Sequence, residues 1–325
     1  MKALALDKPG KPDTLHLADL PKPQPGLGEV RVRVEAVSLN PVDYKLARSG
    51  HPAWTYPFIL GLDVAGVVDA VGDGVENWQP GDQVFYHGNL SKPGGFAEYA
   101  IAAAHVLARI APGVSFEAAA AIPCAGLTAY QALYRKLHLQ AGQTVLVQGG
   151  AGGVGGFGVQ LATNTGATVI TTASARNFQY VKNLGATYVI DYNTEDVKER
   201  VFEITHGRGL EAVLDTVNSK NATLGTELLA FGGSIACIAG MPDFSIVSFD
   251  KPISVHAVML GGAYFSGDRL AEEDLGHMAD EMMALLAEQK IDAMVSEVIM
   301  LEQIPTKLNE LAARHVSGKI VAKLN

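Results

Sequence analysis

The residues whose types and spacing most clearly imply chemistry are six in a row. Gly150-Ala151-Gly152-Gly153-Val154-Gly155 spells G-x-G-x-x-G, directly after a strand-like run, TVLVQ, at 144–148. In this pattern the first glycine makes a tight turn and the second lets a pyrophosphate approach the backbone. The third lets the following helix pack closely on the strand. The helix start then offers free N–H groups and a partial positive charge to an anion. A ligand-free strand-to-helix turn could read the same way. The context argues for a dinucleotide, because the motif follows a strand, opens a helix and begins a series of strand–helix units.

The end of the second strand chooses the cofactor. About 20 residues past the motif an Asp or Glu would bind the ribose hydroxyls of NAD. The stretch TTASARNFQ at 171–179 has no acid, but has Ser174 and Arg176. A hydroxyl and a guanidinium suit a 2′-phosphate, which a carboxylate would repel. NADPH is therefore the expected cofactor, with Tyr192, after the third strand, covering the adenine side. Arg176 could otherwise be a solvated residue of the next helix.

No metal is expected. The nine histidines (16, 51, 87, 105, 138, 206, 256, 277 and 315) form no H-x-x-x-H pair and no cluster with cysteine. Each is read as a surface or internally satisfied histidine. Cys124 and Cys237 lie far apart, which excludes a disulfide framework and a Cys-rich zinc lobe.

The elements that must position these residues fall into two patterns. Up to about residue 120 the chain is β-rich. EVRVRVEAVSL at 29–39 alternates with period two, and further strands are expected at 63–71, 82–86 and 96–101. Many short strands at close spacing suit a barrel or folded sheet. Helices are expected at 116–122 and 126–137, separated by Pro123. From residue 144 strands alternate with helices: strands at 144–148, 168–172, 188–192, 212–217 and 234–240. Gly166, Gly185, Gly207 and Gly232 are expected to cap the helices between them. This alternation implies right-handed crossovers and a parallel sheet. Helices over 272–289 and from Ile304 to His315 precede a final strand at 319–324, which could return to the first domain.

With 325 residues, about two domains are expected. A net charge of −9 without a basic run disfavours nucleic acid. Charged residues at 18% and hydrophobic residues at 48% fit a globular core rather than disorder. The sequence has no apolar run of membrane-spanning length, and the N-terminus lacks the form of a signal peptide. A soluble protein of a reducing compartment, the cytoplasm, is expected.

Five stretches carry a family resemblance: SLNPVDYKLARSG (38–50), GLDVAGVVDAVGDGVENWQPGDQV (61–84), IPCAGLTAYQAL (122–133), VLVQGGAGGVG (145–155) and SGKIVAKL (317–324). Together they resemble the medium-chain dehydrogenase/reductase superfamily, and within it the zinc-free quinone oxidoreductases and the related alkenal/enone reductases. The resemblance implies an α/β protein. A discontinuous GroES-like domain would span 1–121 and 260–325, and a Rossmann doubly wound parallel sheet 122–259. It implies hydride transfer from NADPH to quinones or α,β-unsaturated carbonyls, in a homodimer.

Asn40 and Leu62 stand where zinc alcohol dehydrogenases carry a Cys and a His ligand, so alcohol oxidation through zinc is disfavoured. Cys124 stands at the third ligand position. The resemblance puts Asn40, Asp43, Tyr44 and Lys45 at the substrate site, although Asp43 and Lys45 could simply pair with each other. Lys45 replaces a Tyr found there in several quinone reductases. On the cofactor side it puts Thr128 at the nicotinamide, Asn218, Ile238, Ala239 and Gly240 at strand ends around the ring, and Lys319 near the cofactor. Some relatives bind NADPH in structural or regulatory proteins, so binding without turnover is the competing reading.

Overall fold

The computed structural model describes every residue except Val247, His315 and Asn325. The chain divides into two compact units, one formed by residues 1–127, 261–289 and 293–325, the other by 128–260 and 290–292.

The first unit opens with strands β1 (Lys2–Leu6), β2 (His16–Asp19) and β3 (Glu29–Ser38), then helix α1 (Pro41–Ser49). Strands β4 (Phe58–Ile59), β5 (Asp63–Val71), β6 (Gln83–His87), β7 (Tyr99–Ala103) and β8 (Ala108–Arg109) follow, and then helix α2 (Phe116–Ala120). In β3, Val30, Val32 and Val34 are fully buried while the intervening Glu and Arg residues reach the surface, as period-two alternation requires. Helix α1 has a readable start. Asn40 is the N-cap, Pro41 occupies the first turn, and Asp43 accepts the Asn40 N–H at 2.7 Å.

Pro123 lies between two helical regions, since α2 stops at Ala120. It opens a wide-turned stretch (Pro123–Leu127) that runs through α3 (Thr128–Tyr130) into a second one (Gln131–Lys136). Proline is tolerated at the start of a helical turn, where its missing N–H has no partner to lose.

The second unit is a six-stranded parallel sheet. Its strands are β9 (Thr144–Gln148), β10 (Thr168–Ala173), β11 (Tyr188–Asp191), β12 (Leu210–Asp215), β13 (Leu229–Cys237) and β14 (Ser254–Ala257). Between them run helices α4 (Gly153–Thr165), α5 (Phe178–Asn183), α6 (Val197–Ile204) and α7 (Ser219–Leu228). The order β11-β10-β9-β12-β13-β14 is that of a doubly wound sheet, with its switch point between β9 and β12. Leu146, Ile170, Ile190, Val213 and Ile235 form its buried centre. Gly166, Gly185 and Gly207 follow helices with positive φ. Gly232 also has positive φ (76°) but lies inside β13, which begins at Leu229, earlier than the apolar run at 234–240 suggested.

The chain then returns to the first unit through α8 (Arg269–Ala287), β15 (Val295–Met300), α9 (Ile304–Ala312) and β16 (Lys319–Lys323). His315, the expected end of the last helix, lies outside the described residues. β16 pairs antiparallel with β3 and parallel with β15, completing a sheet of order β15-β16-β3-β5-β6-β8, with β7 also on β3. The last strand of the chain is therefore central to a sheet begun by residue 29.

Candidate functional site

The glycine motif forms the turn from β9 into α4, with Gly152 as N-cap of the helix. Its glycines differ in why they are needed. A Cβ at Gly150 would stand 2.1 Å from Thr171 Oγ1, and one at Gly155 2.2 Å from the Gly149 carbonyl oxygen. Both are demanded by the loop's own packing. At Gly152 the nearest atom is 3.6 Å away, so only a bound group would be displaced by a side chain there. Gly153 and Val154 form the first turn of α4, whose N–H groups are available to an anion.

Ser174 and Arg176 follow β10, and Tyr192 follows β11. Ala173 and Asp191 are register partners, so Ser174 and Tyr192 leave adjacent strands at the same edge. Arg176 and Tyr192 are exposed, and Arg176 is in no ion pair among the described residues.

At the ends of β12 and β13, Asp215 and Cys237 are register partners, which brings Asn218 and the segment Ile238, Ala239, Gly240 to that same edge of the sheet. Asn218 accepts the Asn221 N–H at 3.0 Å as the cap of α7. Gln148 Oε1 and Asp215 Oδ2 are buried acceptors without a donor, and burial pushes the Asp215 carboxyl up to about 6. Thr128, nearly buried, starts α3 in the same unit. An edge with free helix N–H groups, an open glycine, a free guanidinium and unpaired acceptors fits a dinucleotide.

The first unit holds a second polar site, deeply buried. Asp63, at the start of β5, accepts Ser38 Oγ at 2.9 Å, Asn40 Nδ2 at 2.8 Å and the Cys124 N–H at 2.7 Å. Lys319 Nζ lies 3.5 Å from the same carboxylate. It donates to Asn40 Oδ1 at 2.6 Å and to the Leu39 carbonyl at 3.3 Å. Asp43, 1% exposed, sits beside this group, and burial raises its carboxyl to about 8. Of the expected substrate-site residues, Asn40 and Asp43 belong to this cluster. Tyr44 is half-buried with the Arg48 guanidinium 5.5 Å from its ring centroid. Lys45 is exposed on a different face of α1, so it does not pair with Asp43. Lys319 is neither a surface lysine nor free, since its ammonium is committed to Asn40 and Asp63.

Sequence reasoning missed Asp63, Ser38 and His87. His87, at the end of β6, is buried rather than satisfied: its Nδ1 has no partner. The available signal was position. Asp63 is adjacent to Leu62, already read as a lost ligand, and His87 ends a strand that pairs with β5 at Asp63.

Among the described residues, Asp63, His87 and Cys124 offer ligand atoms within 4.8 Å of one another. This set does not fit zinc. The carboxylate is already held by three hydrogen-bond donors and an ammonium, Lys319 would repel a dication, and burial pushes the Cys124 thiol upward, away from the thiolate a metal needs. Asn40 has spent its amide on Asp63 and Lys319, and Leu62 is apolar and buried.

Comparisons with known proteins agree with this architecture. Residues 26–112 match the family described as alcohol dehydrogenase GroES-like domain, and residues 153–288 the family described as zinc-binding dehydrogenase. The chain is 32% identical over 320 residues to a quinone oxidoreductase of Pseudomonas aeruginosa, covering 96% of each. It is similar to the solved structure of Escherichia coli quinone oxidoreductase complexed with NADPH, with a TM-score of 0.90, 26% identity and full coverage of both chains. The quinone oxidoreductase of Pseudomonas syringae pv. Tomato superposes with a TM-score of 0.89 at 31% identity, over 99% of each chain. With a GroES-like β-rich unit, a doubly wound nucleotide-binding sheet and relatives of this kind along its whole length, the chain belongs to the medium-chain dehydrogenase/reductase superfamily and is an NAD(P)H-dependent oxidoreductase.

Proposed function

We propose that this protein reduces quinones or α,β-unsaturated carbonyls with NADPH, without zinc. The observation that carries the reading is the state of Asn40: it stands at a metal-ligand position, but its side chain is spent on Asp63 and Lys319. Without a Lewis acid, the acceptor must be able to take a hydride by itself. A quinone leaves a stabilised anion and an enone leaves an enolate, and water can protonate either. Such chemistry asks the protein to orient two rings and offer a donor to one oxygen.

The cofactor preference rests on Ser174 and the unpaired Arg176, with no acid in residues 171–179. We assign Tyr44 and Lys45 to the acceptor, with Asn40 positioning the Asp63 cluster beside it and Asp43 holding the helix start. Thr128, Gly150, Gly152, Gly153, Val154, Gly155, Ser174, Arg176, Tyr192, Asn218, Ile238, Ala239, Gly240 and Lys319 are assigned to the cofactor side. Lys319 acts there through the Asn40–Asp63 cluster.

Two cysteines outside any disulfide, Cys124 and Cys237, suit a reducing compartment such as the cytoplasm. Exposed Met259, which follows the edge strand β14, supports a homodimer. The test is an acceptor panel of ortho-quinones, para-quinones and short enals, each with NADPH. Oxidation of NADPH by at least one class is expected. Intact NADPH binding with no turnover across the panel would favour the binding-protein reading.

A further inference from the structure

The cluster around Asp63 is closed except at one atom. Asp63 accepts from Ser38 and Asn40, Lys319 donates to Asn40 and lies 3.5 Å from Asp63, and Asp43 accepts the Asn40 N–H. His87 Nδ1 alone is buried with nothing to bind. A buried polar atom left unpaired costs about 1–3 kcal/mol, so a hydrogen-bonding partner from outside the chain gains most at this point.

The ring is held in place. Tyr264 stacks on it with centroids 6.3 Å apart and planes 17° from parallel, and the Tyr264 hydroxyl donates to the His87 carbonyl oxygen. Gly261 closes another side, where a Cβ would lie 3.7 Å from His87 Cε1. The ring is thus fixed in position beside Asp63 with one nitrogen left without a partner.

We infer that His87 is an acceptor-binding residue, hydrogen-bonding the carbonyl oxygen of the quinone or enone. The inference rests on the reductase reading above. Burial lowers the His87 pKa, which favours the neutral ring, and with its proton on Nδ1 that ring donates a hydrogen bond rather than acting as the acid. In the reaction the hydride brings two electrons to an acceptor carbon. The π pair of the acceptor moves onto its oxygen, the His87 N–H holds that oxygen as charge develops, and a water proton completes the product. A cation in the same place is disfavoured by Lys319, 3.5 Å from Asp63.

The experiment compares wild type with His87→Phe, which keeps a ring for Tyr264, and His87→Gln, which keeps a donor. NADPH affinity is measured by fluorescence. Steady-state kinetics use 9,10-phenanthrenequinone and 2-cyclohexenone. His87→Phe is expected to lower kcat/KM about tenfold to a hundredfold, mainly in kcat, with NADPH affinity unchanged, and His87→Gln to recover part of the loss. Unchanged kcat/KM in a folded His87→Phe protein would overturn the inference. So would one metal ion per wild-type chain that is lost in His87→Phe, because the ring would then be a ligand. If wild type turns over neither acceptor, the reductase reading fails by itself. The His87 contact is then decided by the histidine ¹⁵N resonances on addition of 2-cyclohexenone: a shift at His87 upholds it and no shift overturns it.

Discussion

Lys319 and Asn40 are 279 residues apart, yet the lysine ammonium donates to the Asn40 side chain at 2.6 Å, inside a protein core. The contact exists because β16 inserts beside β3, so the start of helix α1 and the end of the chain share one buried cluster. Lys319 is 3% exposed and Asp63 fully buried. Removing one member of such a pair leaves the other charged and unmatched, at a cost of about 3–5 kcal/mol. Lys319→Met should therefore lower the urea midpoint sharply, and Lys319→Met with Asp63→Asn should recover part of the loss. Equilibrium urea unfolding of the two variants checks this.

Asp43 makes stability depend on pH. Its carboxyl titrates at about 8 in the folded chain and near 3.8 in the ordinary range. Between these values the folded state holds a proton that the unfolded state has lost, so stability falls as pH rises from about 4 to about 8. The slope is at most about 1.4 kcal/mol per pH unit. Asp43→Asn keeps an acceptor for the Asn40 N–H and should flatten this dependence. Thermal unfolding of both proteins at pH 5, 6, 7 and 8 measures it.

Gly152 and Gly155 should fail differently. Gly155→Val drives a side chain into the Gly149 carbonyl and should destabilise the nucleotide-binding unit. Gly152→Val meets nothing within 3.6 Å in the protein, so it should fold and lose NADPH. Circular dichroism melting together with NADPH titration separates the two outcomes.

Arg176 should decide between the cofactors. A hydrogen bond to a charged group contributes about 1.5–3 kcal/mol. Arg176→Ala should then weaken NADPH about tenfold to a hundredfold and leave NADH almost unchanged. Ser174→Asp should lower the preference further by repulsion. Titration of both cofactors into each variant is the measurement. Equal weakening of the two would make Arg176 structural.

Protein prepared without chelator should contain no stoichiometric zinc by elemental analysis, because two of its ligand positions are held by Asn40 and Leu62. A value near one would sink the zinc-free reading.

Much of the nucleotide-binding sheet was legible because its strands are local apolar runs punctuated by glycine. The period and the caps are written in neighbouring residues, as in β9 followed by Gly150 to Gly155. Edge strand β14 was not legible, since Ser254–Ala257 is short and half polar, and only pairing with β13 makes it a strand. Helix α1 is legible in Asn40, Pro41 and Asp43 as a cap, a first-turn proline and a third-position acid. The Asp63 cluster is the opposite case. Ser38, Asn40, Asp63, His87, Cys124 and Lys319 come from separate strands and turns, and no spacing along the chain reveals that four of them meet at the Asp63 carboxylate. Lys319 illustrates the difficulty: the family resemblance puts it near the cofactor, but only the insertion of β16 beside β3 reveals its buried contacts with Asn40 and Asp63.

That insertion also imposes an order on biosynthesis. Residues 1–127 leave the ribosome early, but the ammonium that balances Asp63 is 192 residues further on, at Lys319. At about 5–20 residues per second, the nascent β-rich unit waits roughly 10–40 s with a gap beside β3 and an unmatched carboxylate in its interior. The nucleotide-binding sheet, contiguous in the chain, meets no such delay. The nascent protein is thus expected to pass through a stage in which its second unit is formed and its first still lacks β16 beside β3.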